Sequence, residues 1–483
     1  MITSPLLPQL KGYIGGRWTA GPDDHQVVVH NPATGEELAR IPAMGAPETR
    51  EAVAAASQAL DQSIDLETRR DWLNRIVAAL LRDKKEIGRI LTLEHGKPWP
   101  EAEVEVEYAA GFFRYCADNL DVLKPRVIDE RPRNMTWTVY CRPAGVAALI
   151  TPWNFPIAMI AKKLAPALAA GCPTVIKPSS KTPLTMIALF ALLERELDLP
   201  AGMVNLVIGP ADAIGNALCE HPDVQVVSFT GSTEVGRQLM ARCASQVKKM
   251  ALELGGNAPF LVFADADLDL AADQLMANKF RGAGQTCVCA NRILVQREVL
   301  QPFGEKVTER VCRLKVGNGM EPDIDIGPLI DRNGFNKVRR HVEDALAKGA
   351  QLLAGELPAP ASRDWGCFYP PSVLTGVQTD MVVQHEETFG PLVPLLHFAD
   401  ENEAVRLANA TEFGLASYLF TADDDRAQRV IRQLRFGHVG YNTGSGPTPE
   451  APFGGMKQSG IGREGGIEGL FEFVEPQTVP RGF

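Results

Sequence analysis

The segment GAGQTCVC, residues 282–289, places Cys287 among small residues that leave space beside its thiol. A cysteine nucleophile must reach the thiolate form and needs donors for the anion that it creates on its substrate. The chain has nine scattered cysteines and no C-x-x-C pair, so the pattern indicates neither a zinc site nor a disulfide framework. Because most cysteines in such a chain are reduced, buried and inert, Cys287 requires partners before catalysis can be inferred.

Asn154 and Glu253 are residue types that could serve a cysteine nucleophile. Asn154 lies in TPWNFP, residues 151–156, where two prolines stiffen a loop after a strand and hold an amide donor for an oxyanion. Glu253 lies in LELGGN, residues 252–257, where burial would raise the pKa of its carboxyl and suit it to general-base work. Each has an ordinary alternative: a hydrogen bond from Asn154 within its own turn, and an ion pair between Glu253 and a nearby lysine or arginine.

The segment FTGSTEVG, residues 229–236, follows an apolar strand and opens a helix. Backbone N–H groups at such a helix N-terminus are suited to bind a phosphate. Gly231 and Gly236 are five residues apart, so the segment is not the G-x-G-x-x-G dinucleotide fingerprint. The pattern predicts a phosphate site, and a purely structural glycine at the strand–helix turn is the alternative.

The elements that must position these residues alternate between strand and helix from residue 145 onward. Near-continuous Val/Ile/Leu strands are predicted at 146–150, 174–177, 204–209 and 224–229, with helices near 157–170, 183–197, 211–220 and 233–243. Strands of this kind are typical of a doubly wound parallel sheet that is covered on both faces. A second alternating stretch, 259–435, predicts a second α/β domain.

The segments before residue 145 and after residue 470 have a different character. Helical patterns are predicted near 47–63 and 68–120, the second broken near 96–98. TWTVYCR, residues 136–142, alternates and predicts a strand in a hairpin arm, and the tail after residue 470 is again strand-like. These two strand-like segments lie outside both predicted domains.

Composition and charge exclude several classes of protein. The 483 residues are 45% hydrophobic and 22% charged, which is ordinary for a globular chain with more than one domain. The formal net charge of −10 argues against a nucleic-acid partner. The N-terminus lacks a signal-peptide pattern, and the apolar stretch near 159–172 is too short to span a membrane. We therefore expect a cytoplasmic protein with no membrane partner and no metal.

Taken together, the motifs resemble the aldehyde dehydrogenase superfamily over almost the whole chain. The resemblance is carried, in chain order, by NPATGEEL from residue 31, TPWNFP, KPSS, FTGSTEVG, LELGGN, GQTC, EETFGP (386–391) and PFGGMKQSGIGREG (452–465). It implies the α/β aldehyde dehydrogenase fold, with a doubly wound parallel-sheet cofactor domain. It assigns NAD(P) binding to 1–130 and 145–253, catalysis to 254–440, and a small β oligomerisation arm of a homodimer or homotetramer to 131–144 and 470–483.

The resemblance also implies an enzyme mechanism. Cys287 would attack the aldehyde to form a thiohemiacetal, with Asn154 and the backbone N–H of Cys287 holding the oxyanion. Hydride transfer to the nicotinamide would leave a thioester, and Glu253 would activate the water that hydrolyses it. Glu464, in the run GREG, matches an acid proposed to relay protons.

The expected NAD or NADP contacts follow from the same resemblance. They comprise pyrophosphate, ribose and nicotinamide contacts, at Thr151, Trp153, Lys177, Pro178, Ser179, Ser180, Gly231, Ser232, Gly236, Leu254, Glu387 and Phe389. NAD-preferring members often have a glutamate three residues after the lysine at 177, whereas this chain has Ser180 followed by Lys181. We therefore expect NADP⁺ to be accepted, with a preference for it left open. The alternative is that Lys181 points to solvent.

The expected substrate is a small aldehyde with a remote anionic group. KFRGAGQTCVCANR is most similar to succinate-semialdehyde dehydrogenases, in which an arginine at the position of Arg281 binds the far carboxylate. Phe155 and Lys162 complete the expected substrate site, although Lys162 replaces a second arginine of that subfamily. The loop that usually supplies a serine has Pro447 and Thr448. Succinate semialdehyde is therefore the first expectation, with glutarate semialdehyde, 2-oxoglutarate semialdehyde and sulfolactaldehyde as alternatives.

Other functions of the same residues stay open as alternatives. A CoA-acylating dehydrogenase would pass the thioester to CoA, but such relatives tend to lack the base at Glu253. A non-catalytic protein on this fold would be expected to have lost Cys287, Glu253 or Asn154. Esterase activity of Cys287 is expected only as a side reaction. Cys289, two residues after Cys287, could form a disulfide with it that switches the enzyme off.

Overall fold

Apolar strands alternate with helices along most of the chain in the computed structural model, which describes residues 1–22, 25–128 and 134–482. The strands are β1 (Gly12–Ile14), β2 (Arg17–Thr19), β3 (Gln26–His30), β4 (Glu37–Pro42), β5 (Arg126–Val127), β6 (Met135–Pro143), β7 (Val146–Ile150), β8 (Thr174–Lys177), β9 (Val204–Leu206), β10 (Val224–Thr230), β11 (Lys249–Glu253), β12 (Ala258–Val262), β13 (Ala290–Gln296), β14 (Gln351–Ala354), β15 (Ser372–Thr375), β16 (Leu392–Phe398), β17 (Ala416–Phe420), β18 (His438–Tyr441), β19 (Gly460–Ile461) and β20 (Val474–Gly482). The helices are α1 (Ala46–Leu60), α2 (Leu66–Arg82), α3 (Lys84–His95), α4 (Trp99–Asp118), α5 (Pro156–Ala170), α6 (Leu184–Glu196), α7 (Ala211–Glu220), α8 (Thr233–Cys243), α9 (Leu268–Lys279), α10 (Leu300–Val311), α11 (Arg332–Ala347), α12 (Glu401–Asn409), α13 (Asp424–Gln433) and α14 (Gly466–Phe471). Within these described ranges, none of the helices has the length and apolar character needed to cross a membrane.

The first sheet confirms the doubly wound architecture that the alternation predicts. Its eight strands lie in the order β19–β11–β10–β7–β8–β9–β1–β2, and β11 to β9 run parallel. Ala147 and Leu149 of β7 belong to the core that includes α2 to α6, whereas Ala148 and Ile150 belong to the core with α1, α7 and α8. Burial on both faces explains why β7 is apolar at every position.

The second sheet is a further α/β layer. Its seven strands lie in the order β14–β15–β16–β13–β12–β17–β18, and only β14 runs antiparallel to its neighbour among these described strands. In β12, Phe260 and Val262 pack in one core, and Leu261 packs in the core on the other face. The mixed α/β fold with two largely parallel sheets is therefore confirmed.

A third, smaller sheet is formed by β5, β6 and β20, all antiparallel. β6 and β20 pair along their whole length, from Pro143 opposite Val474 to Met135 opposite Gly482. β20 is an edge strand, and its residues after Val474 are exposed. Residues 129–133 and 483, which belong to the expected cofactor domain and arm, lie outside the described residues. The role of this sheet in oligomerisation stays a prediction.

Two features of the fold were not expected from the sequence. The helical pattern at 68–120 has a second break, because Asp83 separates α2 from α3. The carboxylate of Asp83 pairs with Arg82 and Arg195. An aspartate side chain that finds its partners in a non-helical conformation favours a break in the helix at that residue. The predicted segments also leave 441–469 unassigned, yet β19 within that stretch joins the first sheet beside β11.

The pairing of β19 with β11 helps to position the site. Gly460 lies opposite Glu253, with a φ of +130°. A Cβ at Gly460 would lie 1.9 Å from the carbonyl oxygen of Leu252, so only glycine fits at this position. This close approach brings the following residues, including Glu464, to the end of the strand that carries Glu253.

Candidate active site

Three neighbouring parallel strands deliver predicted residues to one edge of the first sheet. β7 leads into the loop with Asn154, β10 leads into Gly231, and β11 ends at Glu253. Because β11, β10 and β7 are adjacent and parallel, their carboxyl ends meet at the same edge, where ligands bind in open α/β sheets. Cys287, just before β13 of the second sheet, faces this edge and contacts Glu253.

Cys287 lies between two cavities. The larger of these two cavities, of about 400 Å³, opens toward the helix α8, and the smaller, of about 170 Å³, opens toward α4 and α5. Cys287 and Met159 line both cavities. A thiol in this position can be reached by one ligand from each side.

The thiol of Cys287 is in contact with a carboxylate. Its Sγ lies 3.4 Å from Oε1 of Glu253. Burial raises the pKa of the Cys287 thiol well above its usual value, and the nearby Glu253 raises it further. Because the thiol is the stable form here, its conversion to the thiolate requires a base within reach, and Glu253 meets that requirement.

Glu253 is both buried and ion-paired, so the two interpretations of its sequence context apply together. Burial raises the pKa of its carboxyl above the usual range, Lys162 opposes that rise, and Glu464 adds to it. The Nζ of Lys162 lies 3.7 Å from Oε2 of Glu253 and 3.7 Å from Oε2 of Glu464. A carboxyl whose pKa is raised in this way is suited to exchange protons near neutral pH.

Glu464 is the anionic member of this buried cluster. Lys163 pairs with Glu464 and also donates to Ser228 at 3.1 Å. Burial alone would raise the pKa of Glu464, but Lys163, the contact with Glu253 and Lys162 together lower it. The cluster therefore keeps Glu464 ionised while Glu253 remains able to take up a proton.

Asn154 points toward the cysteine loop. Its Nδ2 donates to the carbonyl oxygen of Gln285 at 2.9 Å, instead of bonding its own turn. The backbone carbonyl oxygen of Asn154 accepts a hydrogen bond from Nζ of Lys97 at 2.9 Å, which fixes the loop from the other side. Because a primary amide has two N–H groups, one remains available toward the larger cavity, which Asn154 lines together with Cys287.

Six of the twelve expected cofactor residues line the larger cavity. They come from four separate segments and are Trp153, Gly231, Ser232, Leu254, Glu387 and Phe389. Ser180 lines the adjoining cavity of about 590 Å³. Thr151, Lys177, Pro178, Ser179 and Gly236 line neither cavity within the described residues. The expected residues therefore form two groups: those that line one of the two cavities, Ser180 included, and those at supporting positions behind the lining.

The supporting positions have clear structural contacts. Lys177 donates to the carbonyl oxygen of Pro178 at 2.9 Å, and burial lowers the pKa of its amine to about 8. A Cβ at Gly236 would lie 2.4 Å from the side chain of Leu254, so this glycine leaves Leu254 its place against the cavity. The hydroxyl of Ser232 caps α8 by accepting from Val235 at 3.3 Å.

Glu387 and Phe389 lie on the opposite wall of the larger cavity. Glu387 accepts a hydrogen bond from the backbone N–H of Gly256 at 3.1 Å, and burial raises the pKa of its carboxyl to about 7. Phe389 has a φ of +57°, an uncommon conformation for a residue with a side chain, and its ring meets Trp153 edge-on. This backbone conformation aims the Phe389 ring at the loop that also carries Asn154.

Lys181 does not simply point to solvent. It lines both the larger cavity and the adjoining one, and it pairs with Asp331 from the segment before α11. A carboxylate therefore stands close to the position where the sequence indicated only a cation. Asp331 lies 150 residues away along the chain, so local sequence gave no signal of this contact.

The smaller cavity contains all three expected substrate residues, Phe155, Lys162 and Arg281. The guanidinium of Arg281 lies 5.2 Å from the centre of the Phe155 ring, so the cation is held beside an aromatic wall. Pro447 also lines this cavity, whereas Thr448 is absent from the lining that the described residues form. Arg281 and Lys162 give the cavity two cationic side chains.

Sequence reasoning missed the contribution of α4 to this cavity. Glu101, Glu105 and Tyr108 line it, and the hydroxyl of Tyr108 donates to the carbonyl oxygen of Pro447 at 2.9 Å. These residues lie at helical spacing on one face of α4, a pattern that also describes an ordinary packing face. Only the position of α4 across from Cys287 distinguishes the two interpretations.

Cys289 is buried in a separate environment. Its Sγ lies 3.3 Å from the carbonyl oxygen of Gly284 and 3.7 Å from Nζ of Lys279. These contacts lie on the side of α9 and the segment that precedes Cys287. A regulatory disulfide between Cys289 and Cys287 stays a prediction.

Comparison with known proteins relates the whole chain to one family. The family model described as "Aldehyde dehydrogenase family" matches residues 18–479. A 3-sulfolactaldehyde dehydrogenase from Pseudomonas putida is 47% identical over 480 residues, which covers 99% of this chain and 98% of the relative. An NADP(+) succinate-semialdehyde dehydrogenase from Escherichia coli (strain K12) is 46% identical over 468 residues, which covers 96% and 95%. The crystal structure of an oxidoreductase from Marinobacter aquaeolei is 61% identical, with a TM-score of 0.97 and 100% of both chains covered.

Proposed function

We infer that this chain, which belongs to the aldehyde dehydrogenase family, oxidises a small aldehyde with a remote anionic group to the carboxylic acid. Succinate semialdehyde is the first candidate, and glutarate semialdehyde, 2-oxoglutarate semialdehyde and sulfolactaldehyde are the alternatives. One observation carries the proposal: Cys287 lies between a large cavity and a small one that contains Arg281 and Lys162. This arrangement suits a thiol that holds an anionic aldehyde on one side and meets its oxidant on the other.

Cys287 is the nucleophile in this proposal. As its sulfur bonds to the aldehyde carbon, Glu253 at 3.4 Å accepts the thiol proton. The carbonyl oxygen becomes an oxyanion, for which the free N–H of Asn154 and the backbone N–H of Cys287 are the donors. The product of this step is a thiohemiacetal on Cys287.

The larger cavity fits a dinucleotide. Gly231 and Ser232 lie at the N-terminus of α8, where backbone N–H groups suit a pyrophosphate. The buried hydroxyl of Thr230 also lines this cavity and has no hydrogen-bond partner in the described part of the chain, so it is available to a ligand. Bound NAD(P)⁺ supplies the hydride acceptor that converts the thiohemiacetal into a thioester. Glu387 and Phe389, which line the same cavity, would hold its nicotinamide end.

Glu253 then acts as the base for hydrolysis. Once the thiol proton has left Glu253, its carboxylate takes a proton from water as the oxygen bonds to the thioester carbon, and the C–S bond breaks to release the acid. The proton on Glu253 then returns to the thiolate of Cys287. Glu464, which shares the Lys162 ammonium with Glu253, would carry the thiol proton away from Glu253 before this step. In the balanced reaction, aldehyde, NAD(P)⁺ and water give the acid, NAD(P)H and a proton.

The anionic end of the substrate is assigned to Arg281 and Lys162. A guanidinium can bind either a carboxylate or a sulfonate through paired N–H donors. The relatives named above act on one substrate of each kind, sulfolactaldehyde and succinate semialdehyde. The two cations therefore support an anionic substrate class without distinguishing its members.

NADP⁺ is proposed to be accepted alongside NAD⁺. Ser180 donates to the carbonyl oxygen of Gly209 at 3.0 Å, and Lys181 stands next to it at the junction of the two cofactor-side cavities. A phosphate near Lys181 would be attracted by the Lys181 ammonium but would compete with Asp331 for that ammonium. This balance supports acceptance of both cofactors more than strict selection of one.

The small sheet is proposed to join subunits of a homodimer or homotetramer. β20 is an edge strand, and an exposed edge of nine residues is normally covered in a folded protein. Deletion of residues 474–482 should lower the mass in solution, measured by light scattering. An unchanged mass after this deletion would remove the small sheet from the account of assembly.

Substrate and acceptor are tested together by steady-state kinetics. The kcat/KM values of the four anionic aldehydes and of neutral hexanal are measured with NAD⁺ and with NADP⁺, each without and with CoA. We expect the anionic aldehydes to be preferred and turnover to proceed without CoA. Preference for hexanal would contradict the anionic substrate class, and dependence on CoA would instead support an acylating dehydrogenase.

A further inference from the structure

Lys162 belongs at once to the substrate cavity and to the catalytic base. It lines the smaller cavity, and its side chain is only 1% exposed. Its Nζ lies 3.7 Å from a carboxylate oxygen of Glu253 and 3.7 Å from one of Glu464. Lys163, the next residue on α5, points instead to Ser228 and Glu464.

The surroundings of Lys162 limit the groups that can pair with its ammonium. The rings of Phe112 and Phe453 flank the ammonium at 5.9 Å and 4.9 Å, so much of its shell is apolar. The titratable groups that face it are Glu253 from β11, Glu464 from the segment after β19, Tyr108 from α4 and Cys287 from the segment before β13. Glu253 is in turn faced by Lys162, Lys163, Glu464 and Cys287. An anion that enters the smaller cavity would therefore compete with Glu253 for the same ammonium.

We propose that Lys162 couples the substrate to the base: an anionic substrate draws the ammonium away from Glu253, and Glu253 becomes a stronger base only when such a substrate is bound. This inference rests on the proposed function, because it requires an anionic aldehyde in the smaller cavity. It adds that Lys162 is a specificity-determining residue for the hydrolysis step as well as for binding. A neutral substrate would leave Lys162 paired with Glu253 and the base weaker.

The sign of the coupling follows from the charges. In the unliganded site, Lys162 favours the ionised form of Glu253 and so opposes the effect of burial on its pKa. When the substrate anion neutralises Lys162, this opposition is lost and the pKa of Glu253 rises. The acidic limb of the hydrolysis rate must therefore lie at higher pH for an anionic acyl group than for a neutral one.

The experiment measures hydrolysis of the acyl-enzyme without cofactor. p-Nitrophenyl hydrogen succinate and p-nitrophenyl butyrate acylate Cys287 with chains of equal length, one anionic and one neutral. The slow phase after the nitrophenol burst reports deacylation, in which the thiol no longer titrates. In wild type, the acidic limb should lie higher for the succinyl enzyme by about half a pH unit or more.

Variants separate coupling from other effects. In Lys162→Met the two limbs should coincide, and both should lie above the butyryl limb of wild type; in Lys162→Arg, which keeps the charge, a difference should persist. Lys124→Met, at an exposed position that lines neither cavity, is the matched control and should behave as wild type. Coincident limbs in wild type, or an unchanged difference in Lys162→Met, would overturn the coupling.

The proposed function can fail separately. If acylation shows no preference for the succinyl ester and no response to Arg281→Ala, then the smaller cavity does not bind anions and the proposed function itself is wrong. If acylation does prefer the succinyl ester but the two acidic limbs coincide, anion binding stands and only the role of Lys162 is refuted. If Lys162→Met does not fold, the wild-type comparison and Lys162→Arg still decide the outcome.

Discussion

The two cavities beside Cys287 are built from different parts of the chain. The larger one is lined by the loop after β7, the N-terminus of α8 and the residues after β11, together with more distant segments around Asp331 and Phe389. The smaller one is formed by charged and aromatic side chains from α4, α5 and the segment before β13. The proposed cofactor side thus includes strand–helix connections that sequence motifs mark, whereas the proposed substrate side consists of side chains that only the fold brings together.

The largest effect is expected where the two sides meet. Cys287→Ala should lower both aldehyde oxidation and ester hydrolysis by about 10⁴-fold or more, because both reactions need the sulfur. NAD(P)H absorbance and nitrophenol release measure the two reactions. Cys312→Ala, at an exposed cysteine, is the control and should leave both rates unchanged. Retention of either reaction in Cys287→Ala would point to a different nucleophile.

The next effect removes the proposed base from both halves of the reaction. Glu253→Gln keeps the size of the side chain but removes the base, so kcat should fall by about 10²- to 10⁴-fold. Because Glu253 also takes the thiol proton, rapid mixing should show slow NAD(P)H formation without a burst. Full steady-state turnover in this variant would exclude Glu253 as the base for hydrolysis.

A third change should affect the cofactor side alone. Gly236→Ala would push the side chain of Leu254, 2.4 Å from the new Cβ, toward the larger cavity. The KM for NAD(P)⁺ should rise about tenfold, as expected for overpacking of this size, while cofactor-free ester hydrolysis stays the same. Equal losses in both assays would show that the two cavities are not independent.

The smallest effect concerns the choice between cofactors. Asp331→Asn removes the carboxylate that pairs with Lys181, so the cation becomes available to a 2′-phosphate. Because the Lys181 side chain is 45% exposed and screened by solvent, the ratio of kcat/KM for NADP⁺ over NAD⁺ should rise only about threefold. A fall in this ratio would mean that Asp331 assists NADP⁺ binding.

The same contrast explains what the sequence could predict. The strands at 146–150 and 174–177, the helix at 211–220 and the doubly wound sheet followed from hydrophobic patterns, because burial on both faces leaves a continuous apolar run. Gly231 was found because it follows the predicted strand at 224–229, and Glu253 because it lies in an apolar run before paired glycines.

Other features could not be predicted, because they depend on contacts between distant segments. The pairing of Lys181 with Asp331 joins residues 150 positions apart, and the place of Glu464 beside Glu253 depends on a two-residue strand, β19. Glu101 and Tyr108 lie on a helix whose spacing describes packing equally well. Such contacts can be identified only from the three-dimensional structure, which gives the positions of both partners.

The central claim, an anion-binding cavity beside Cys287, is tested most directly by Arg281→Ala with two aldehydes of equal length. We measure kcat/KM for succinate semialdehyde and for butanal in wild type, in Arg281→Ala and in the control Arg297→Ala, which changes an exposed arginine. The account predicts that Arg281→Ala lowers the value for succinate semialdehyde by about 10- to 100-fold and leaves that for butanal within about threefold. Equal losses for both aldehydes, or no loss for either, would contradict it.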